Sequence, residues 1–292
     1  MTYKVEVSSD IKTRNIRLMF WGAPGTRKTE TVLRNFPHVL VIDAEGNAQQ
    51  CTHMPEIPKF LRIATKNARE ILDILDDISA GKIKFPDGEL VETVSIDSVS
   101  VLWGVGQEVA AVSAEDRARK MNKKVDEANI TQLDWVRAKR PMKRIMNRLA
   151  GSTIKYLVLI AREKDLYIED KVKTLQKVGF TPDIMKGTDY DVNLALRFGF
   201  EQGRWFCLPT KTQGGLGRIF NKDEKLYDFP MQLLKGYTDQ LHLSTTKETI
   251  LDDEEVAAEQ VREANLDHSQ VEMIKIYPKT DGVYRKNTNV KQ

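Results

Sequence analysis

Cysteine and histidine are scarce, at two and four of 292 residues. Cys51 and Cys207 stand far apart with neither a CxxC pair nor the Cys/His spacing of a zinc site, so both read as ordinary reduced thiols. His38, His53, His242 and His268 show no ligand or nucleophile spacing and read as surface or packing residues. Long apolar runs are missing as well, none approaching the roughly 18 residues of a membrane-spanning helix. Met1 to Asp10 lacks the charged-then-apolar order of a secretory leader. A cytoplasmic location with no membrane partner is expected. There is no low-complexity tract and no repeat with a period of about 20 to 50 residues, which excludes a solenoid or a coiled coil.

Charge is abundant, at 30% of residues, yet the net value is only +3. Its distribution is uneven. Between Arg117 and Arg148 stand 11 basic and 3 acidic residues, whereas Ser244 to Gln292 carries 7 basic and 10 acidic ones. The length suits one sizeable core with a small appendage. The expected division is a core over 1–243, with a basic helical insertion at about 113–151, and an acidic helix and mobile tail over 244–292.

Short apolar runs with polar ends read as buried strands: Ile16 to Trp21, Val39 to Ile42, Phe60 to Ile63, Val94 to Ile96, Tyr156 to Ile160, Val192 to Phe198 and Trp205 to Leu208. The stretches Lys28 to Asn35, Ala68 to Ile78 and Ser98 to Val112 place apolar residues three and four apart and predict helices. Such alternation predicts an α/β fold with a mostly parallel sheet flanked by helices, and Glu201-Gln202-Gly203 predicts a terminal hairpin closing it.

The first strand runs into Gly22-Ala23-Pro24-Gly25-Thr26-Arg27-Lys28-Thr29 and then a helix, the setting in which a GxxxxGK[ST] phosphate loop acquires meaning. Such a loop wraps an anion with backbone N–H groups at a helix N-terminus. Lys28 is placed for the β- and γ-phosphates of ATP, and the Thr29 hydroxyl for Mg²⁺. Arg27 occupies the place of the second glycine, where a Cβ weakens binding if the backbone there is left-handed. The alternative is a glycine-containing turn before an ordinary helix.

Two further strands end in carboxylates, as Asp43-Ala44-Glu45-Gly46 and Asp97-Ser98. The carboxyl edge of a parallel sheet is where open α/β folds bind ligands. Asp97 suits Mg²⁺ held through a bound water, and Glu45 suits polarisation of a water attacking the γ-phosphate. Each is otherwise a solvated strand-end acid.

With these motifs the chain resembles the RecA-type ATPases, and more closely the compact RecA-like, AAA-type ATP-binding proteins of bacteriophages grouped with Sak-type single-strand-annealing recombinases. In those the loop is GxPGxGKT and the second strand ends in Asp-x-Glu-Gly. The resemblance extends more weakly over Ile16 to Arg218, including Arg162-Glu163 at the end of the fifth apolar run. It implies a RecA-like P-loop NTPase core and an ATPase acting on single-stranded DNA in phage-type recombination, annealing or repair. It also implies a homo-oligomer, ring or filament, a single-strand-binding protein as a further partner, and the bacterial host cytoplasm as location.

The basic interval holds Arg137, Lys139, Arg140, Lys143 and Arg144 with Trp135 among them, a pattern that attracts a phosphate backbone and offers a stacking face to an unpaired base. A solvated helical face packed on the core is the alternative. After the last strand, Lys211 to Arg218 forms a glycine-rich segment expected beside the nucleotide edge. Lys211 or Arg218 is a candidate for reaching a neighbouring subunit's γ-phosphate, as basic residues of similar RecA-like proteins do. Two other functions remain open: a small-molecule P-loop kinase with the basic interval as lid, and a non-hydrolysing switch or scaffold ordered by nucleotide.

Overall fold

The computed structural model describes residues 15–125, 128–169 and 175–241. The acidic helix and tail expected over 244–292 lie outside the described residues. Strands β1 (Ile16–Gly22), β2 (Val39–Asp43), β3 (Leu61–Ile63), β4 (Thr93–Asp97), β5 (Tyr156–Glu169), β6 (Leu175–Pro182), β7 (Leu194–Glu201) and β8 (Arg204–Thr212) form one sheet. Its order is β3-β2-β4-β5-β1-β7-β8, with β6 paired to β5 alone. Pairing is parallel from β3 through β7 and antiparallel for β7/β8 and β5/β6. This is an α/β core with a mostly parallel sheet flanked by helices, with the expected hairpin at its end.

Alternating side chains on each central strand supply two apolar layers, as a strand with period two must when both faces are covered. On β1, Met19 and Trp21 join Leu40, Ile42, Ile96, Leu157 and Leu159 on one face. That face is covered by α2 (Ala68–Ser79), α3 (Val99–Lys120) and α4 (Gln132–Ala150). Ile16, Leu18 and Phe20 join Val39, Val41, Val158 and Ile160 on the other, under α1 (Lys28–Asn35) and α5 (Met231–Asp239).

Local chemistry sets the boundaries. Asn67 caps α2 by accepting from the Arg69 and Glu70 amides. Thr131 and Asp134 form a capping box at the start of α4. The β7/β8 turn places Gln202 at φ 51° and Gly203 at φ 77°, the left-handed pair that suits the twist of a two-residue hairpin.

Three features differ from the sequence expectation. β5 continues well past Ile160, and with β6 it forms a two-stranded ribbon standing off the main sheet. The predicted third helix extends to Lys120, so the basic interval is the end of α3 plus α4. The helix α5 follows the hairpin. Among the described residues no helix is long and apolar enough to cross a membrane, and Cys51 and Cys207 are buried thiols, with burial pushing Cys207 up to about 12.

Candidate functional site

Strand register brings the motifs together. Asp43 lies beside Asp97, Asp97 beside Ile160, and Gly22 between Arg162 and Phe198, so the loop and both carboxylate ends occupy one edge of the sheet. Gly22 is required there. A Cβ at this position would meet the Phe198 carbonyl oxygen at 2.2 Å, because β7 packs directly against it. The chain then turns through Gly25 at φ 71° and Arg27 at φ 62°, ψ 22° before α1 begins.

Arg27 therefore adopts the left-handed backbone that its glycine-like position demands, a conformation costing about 1 kcal/mol for a residue with a Cβ. Its side chain leaves the loop. The guanidinium sits 4.9 Å from the centre of the Trp205 ring on β8 and 3.6 Å from Glu30.

Lys28 Nζ folds back onto the loop, donating to Gly22 O at 3.0 Å, Ala23 O at 2.7 Å and Thr26 Oγ1 at 3.2 Å. Burial lowers its pKa against the opposing pull of Asp97, Glu45 and Glu163. Thr29 Oγ1 donates to Asp97 Oδ2 at 2.6 Å. Asp97 is fully buried, and that desolvation, with Glu45 and Asp43 nearby, lifts its carboxyl to about 6 despite the Thr29 hydrogen bond and the Lys28 charge.

Asp43 has a different task. Its buried carboxylate accepts from the Gly46 amide at 2.6 Å and from Arg62 Nε at 2.6 Å, which fixes the turn that presents Glu45. Glu45 Oε1 accepts from Ser98 Oγ and Arg162 Nε, each at 2.6 Å, and Oε2 from Asn47 Nδ2 at 2.5 Å.

A cavity of about 580 Å³ is lined by the loop from Pro24 to Thr29 together with Glu45, Asp97, Ser98 and Arg162. Its chemistry fits a magnesium nucleotide. A hydroxyl and a buried acid of raised pKa are hard oxygen donors whose desolvation a divalent cation relieves, and the loop ends at a helix N-terminus beside an ammonium group. A second cavity of about 350 Å³ adjoins it across Arg27, between α1 and the end of the sheet, with Trp205, Arg204 and Tyr227 in its walls. The Arg204 guanidinium lies 4.1 Å from the centre of the Tyr227 ring. None of these three residues stood out in the sequence. The signal was an arginine–tryptophan pair directly after the tight hairpin turn, which the antiparallel return of β8 brings to the loop edge.

The same register places Lys211 and Arg218 away from the loop of their own chain. β8 runs antiparallel to β7, so Lys211 pairs with Ala195, which lies beside Met19, and Gln213 bonds Asn193 at the level of Arg17. The glycine-rich segment thus lies toward the opposite edge of the sheet from the loop of its own chain. Lys211 Nζ donates to the Asp189 carbonyl at 2.5 Å and the Tyr190 carbonyl at 3.4 Å, and Arg218 is exposed on a short 3-10 turn.

Trp135 is also placed differently from a base-stacking platform. Its ring stacks on Trp103 at a centroid distance of 6.0 Å and packs against the core between α3 and α4. In the basic interval Arg117 forms a two-pronged ion pair with Asp134, Arg119 pairs with Glu115 and Asp116, and Arg148 pairs with Asp76. Arg137, Arg140, Lys143 and Arg144 are exposed on α4 and Lys139 is half-buried.

No protein among the curated sequences matches the chain. Among solved structures it is similar to the RadB recombinase, with a TM-score of 0.43 and 11% identity over 74% of this chain and 87% of that chain. The family model described as the AAA domain matches residues 14–196, a span that includes the loop, both carboxylate strand ends and β5 with Arg162. With that match and a phosphate loop facing two acidic strand ends on a mostly parallel sheet, the chain belongs to the AAA domain family and is a nucleotide-binding P-loop protein.

Proposed function

We propose that this protein binds ATP with Mg²⁺ at the carboxyl edge of its sheet, hydrolyses it, and acts on single-stranded DNA in recombination, annealing or repair of the phage type. The observation that carries this reading is the convergence of Lys28, Thr29, Asp97 and Glu45 on one cavity. Bound Mg²⁺ supplies charge neutralisation at the phosphates. The loop amides and Lys28 hold the phosphates, Thr29 and Asp97 hold the metal, and Glu45 orients water through its carboxylate. The adjoining cavity takes the nucleobase, with Trp205 and Tyr227 as its aromatic walls.

The basic face of α4 is the DNA-binding element of this reading, attracting the phosphate backbone by counterion release. A kinase lid would have to move. Instead, α4 buries Ala138, Met142, Ile145, Met146 and Leu149, which holds it to the core. A role for Lys211 or Arg218 at a nucleotide would lie with a neighbouring subunit of a ring or filament.

The deciding experiment measures phosphate release with and without single-stranded DNA and with small phosphate acceptors. Mg²⁺-dependent hydrolysis accelerated by DNA and indifferent to the acceptors is expected. Glu45→Gln should keep ATP affinity and slow turnover by roughly 10²-fold or more. Phosphate transfer to an acceptor would establish the kinase, and binding without turnover would establish a nucleotide-ordered scaffold.

A further inference from the structure

The two cavities at the loop edge of the sheet share a wall. Thr26, Arg27 and Glu30 line both the cavity of about 580 Å³ that faces Lys28 and the cavity of about 350 Å³ that holds Trp205 and Tyr227. A nucleotide with its outer phosphates at Lys28 and its base beside the aromatic rings has to cross that wall. The portion that crosses is the ribose with the α-phosphate, because these join the base to the β-phosphate. Thr26 offers little to an anion there: it is buried, and its hydroxyl donates to the Ala23 carbonyl at 2.8 Å. Glu30 repels a phosphate. Arg27 is the cation at the crossing.

Its guanidinium is held in place with its donors uncommitted. It lies over the Trp205 ring, 4.9 Å from the centre, and that ring is itself packed against Phe200 with centroids 4.4 Å apart. A cation–π contact engages the charge and takes up no N–H group. Glu30 Oε2 is 3.6 Å from Arg27 Nε, longer than a hydrogen bond, and Glu30 lies closer to Arg34, at 3.0 Å. Among the described residues the Arg27 guanidinium makes these two contacts and no hydrogen bond. Lys28 differs, since its ammonium group already donates to two loop carbonyls and to Thr26. Half of the Arg27 side chain is exposed, so a ligand in the shared wall can reach it.

We infer that Arg27 binds the α-phosphate of the nucleotide, its planar fork presenting paired N–H groups to the phosphate oxygens while Trp205 holds the guanidinium at the crossing. The inference deepens the nucleotide reading under the proposed function and rests on it. It reverses the effect expected from the backbone alone. The left-handed loop position favours glycine, whereas the side chain makes arginine the tighter binder.

Calorimetric titration of the full chain with Mg²⁺ compares ATP with AMP and adenosine, the last two measured as competitors of ATP. Arg27→Gly and Arg27→Ala should each weaken ATP and AMP by roughly ten-fold and leave adenosine within about two-fold. Those two variants differ in backbone strain at the loop, so an equal loss in both belongs to the missing side chain. Arg27→Lys, which keeps the charge without the fork, should lose about three-fold. Binding of ATP by Arg27→Gly as tight as by the parent, or tighter, would overturn the inference and leave the nucleotide site standing. A loss confined to ATP would move the guanidinium to the outer phosphates, and an equal loss for AMP and adenosine would move it to the ribose or base; either overturns the α-phosphate contact. A parent that binds no ATP would overturn the proposed function, and the inference with it.

Discussion

At Arg27 two residue-scale effects oppose one another: a left-handed backbone that favours glycine, and a side chain placed over Trp205 and beside Glu30. They can be separated. Arg27→Gly and Arg27→Ala both lose the side-chain contacts, and only alanine keeps the backbone cost, so the glycine variant should be the more stable by about 1 kcal/mol in denaturant unfolding. Equal stabilities would show that the loop relaxes around a Cβ without strain. Asp97 offers a pH-dependent test. Burial lifts its carboxyl to about 6, above the ordinary carboxylate range, so the folded chain holds the proton more tightly than the unfolded one, and this contribution to stability is lost as pH rises from about 4 through 6. Asp97→Asn should accordingly stabilise the nucleotide-free protein by about 2 to 3 kcal/mol at pH 8 and by little at pH 4. A benefit independent of pH would contradict the raised value.

The α4 helix shows how one element divides its residues between packing and surface chemistry. Its buried side chains and the Trp135 stack on Trp103 face the core, while Arg137, Arg140, Lys143 and Arg144 face outward. Changing Arg137, Lys139, Arg140, Lys143 and Arg144 to Ala should weaken single-stranded DNA binding and flatten its salt dependence. Trp135→Ala should instead cost about 2 kcal/mol of stability and leave affinity nearly unchanged. Loss of affinity in a stably folded Trp135→Ala would return the ring to the nucleic-acid interface. The core strands were legible from their apolar runs because helices cover both faces of the sheet. The distal half of β5 and all of β6 were not, since the ribbon is uncovered and its apolar residues remain exposed, leaving no inside-outside alternation to read. The helix α5 escaped notice for another reason: it has nine residues and follows Pro230 at its N-cap, without a side-chain cap.

At the scale of the whole molecule, strand register decides which distant residues meet. The loop and the two acidic strand ends were legible because each motif is local and a parallel sheet collects its carboxyl ends on one edge. The partners of those motifs were not. Arg162 reaches Glu45 across 117 positions, and the antiparallel return of β8 carries Arg204 and Trp205 to the loop edge while taking Lys211 away from it. The adjoining aromatic cavity follows from that return, and Trp205→Ala should weaken ATP binding roughly ten-fold if the nucleobase lies there. The central claim, that the cavity facing Lys28 is a magnesium-nucleotide site, is tested most directly by calorimetric titration of ATP into the parent and Lys28→Ala, each with Mg²⁺ and with a chelator. Saturable one-to-one binding by the parent, weakened by the chelator and lost in a Lys28→Ala variant with unchanged thermal unfolding, is the expected result. Equal ATP affinity in the two proteins would contradict it.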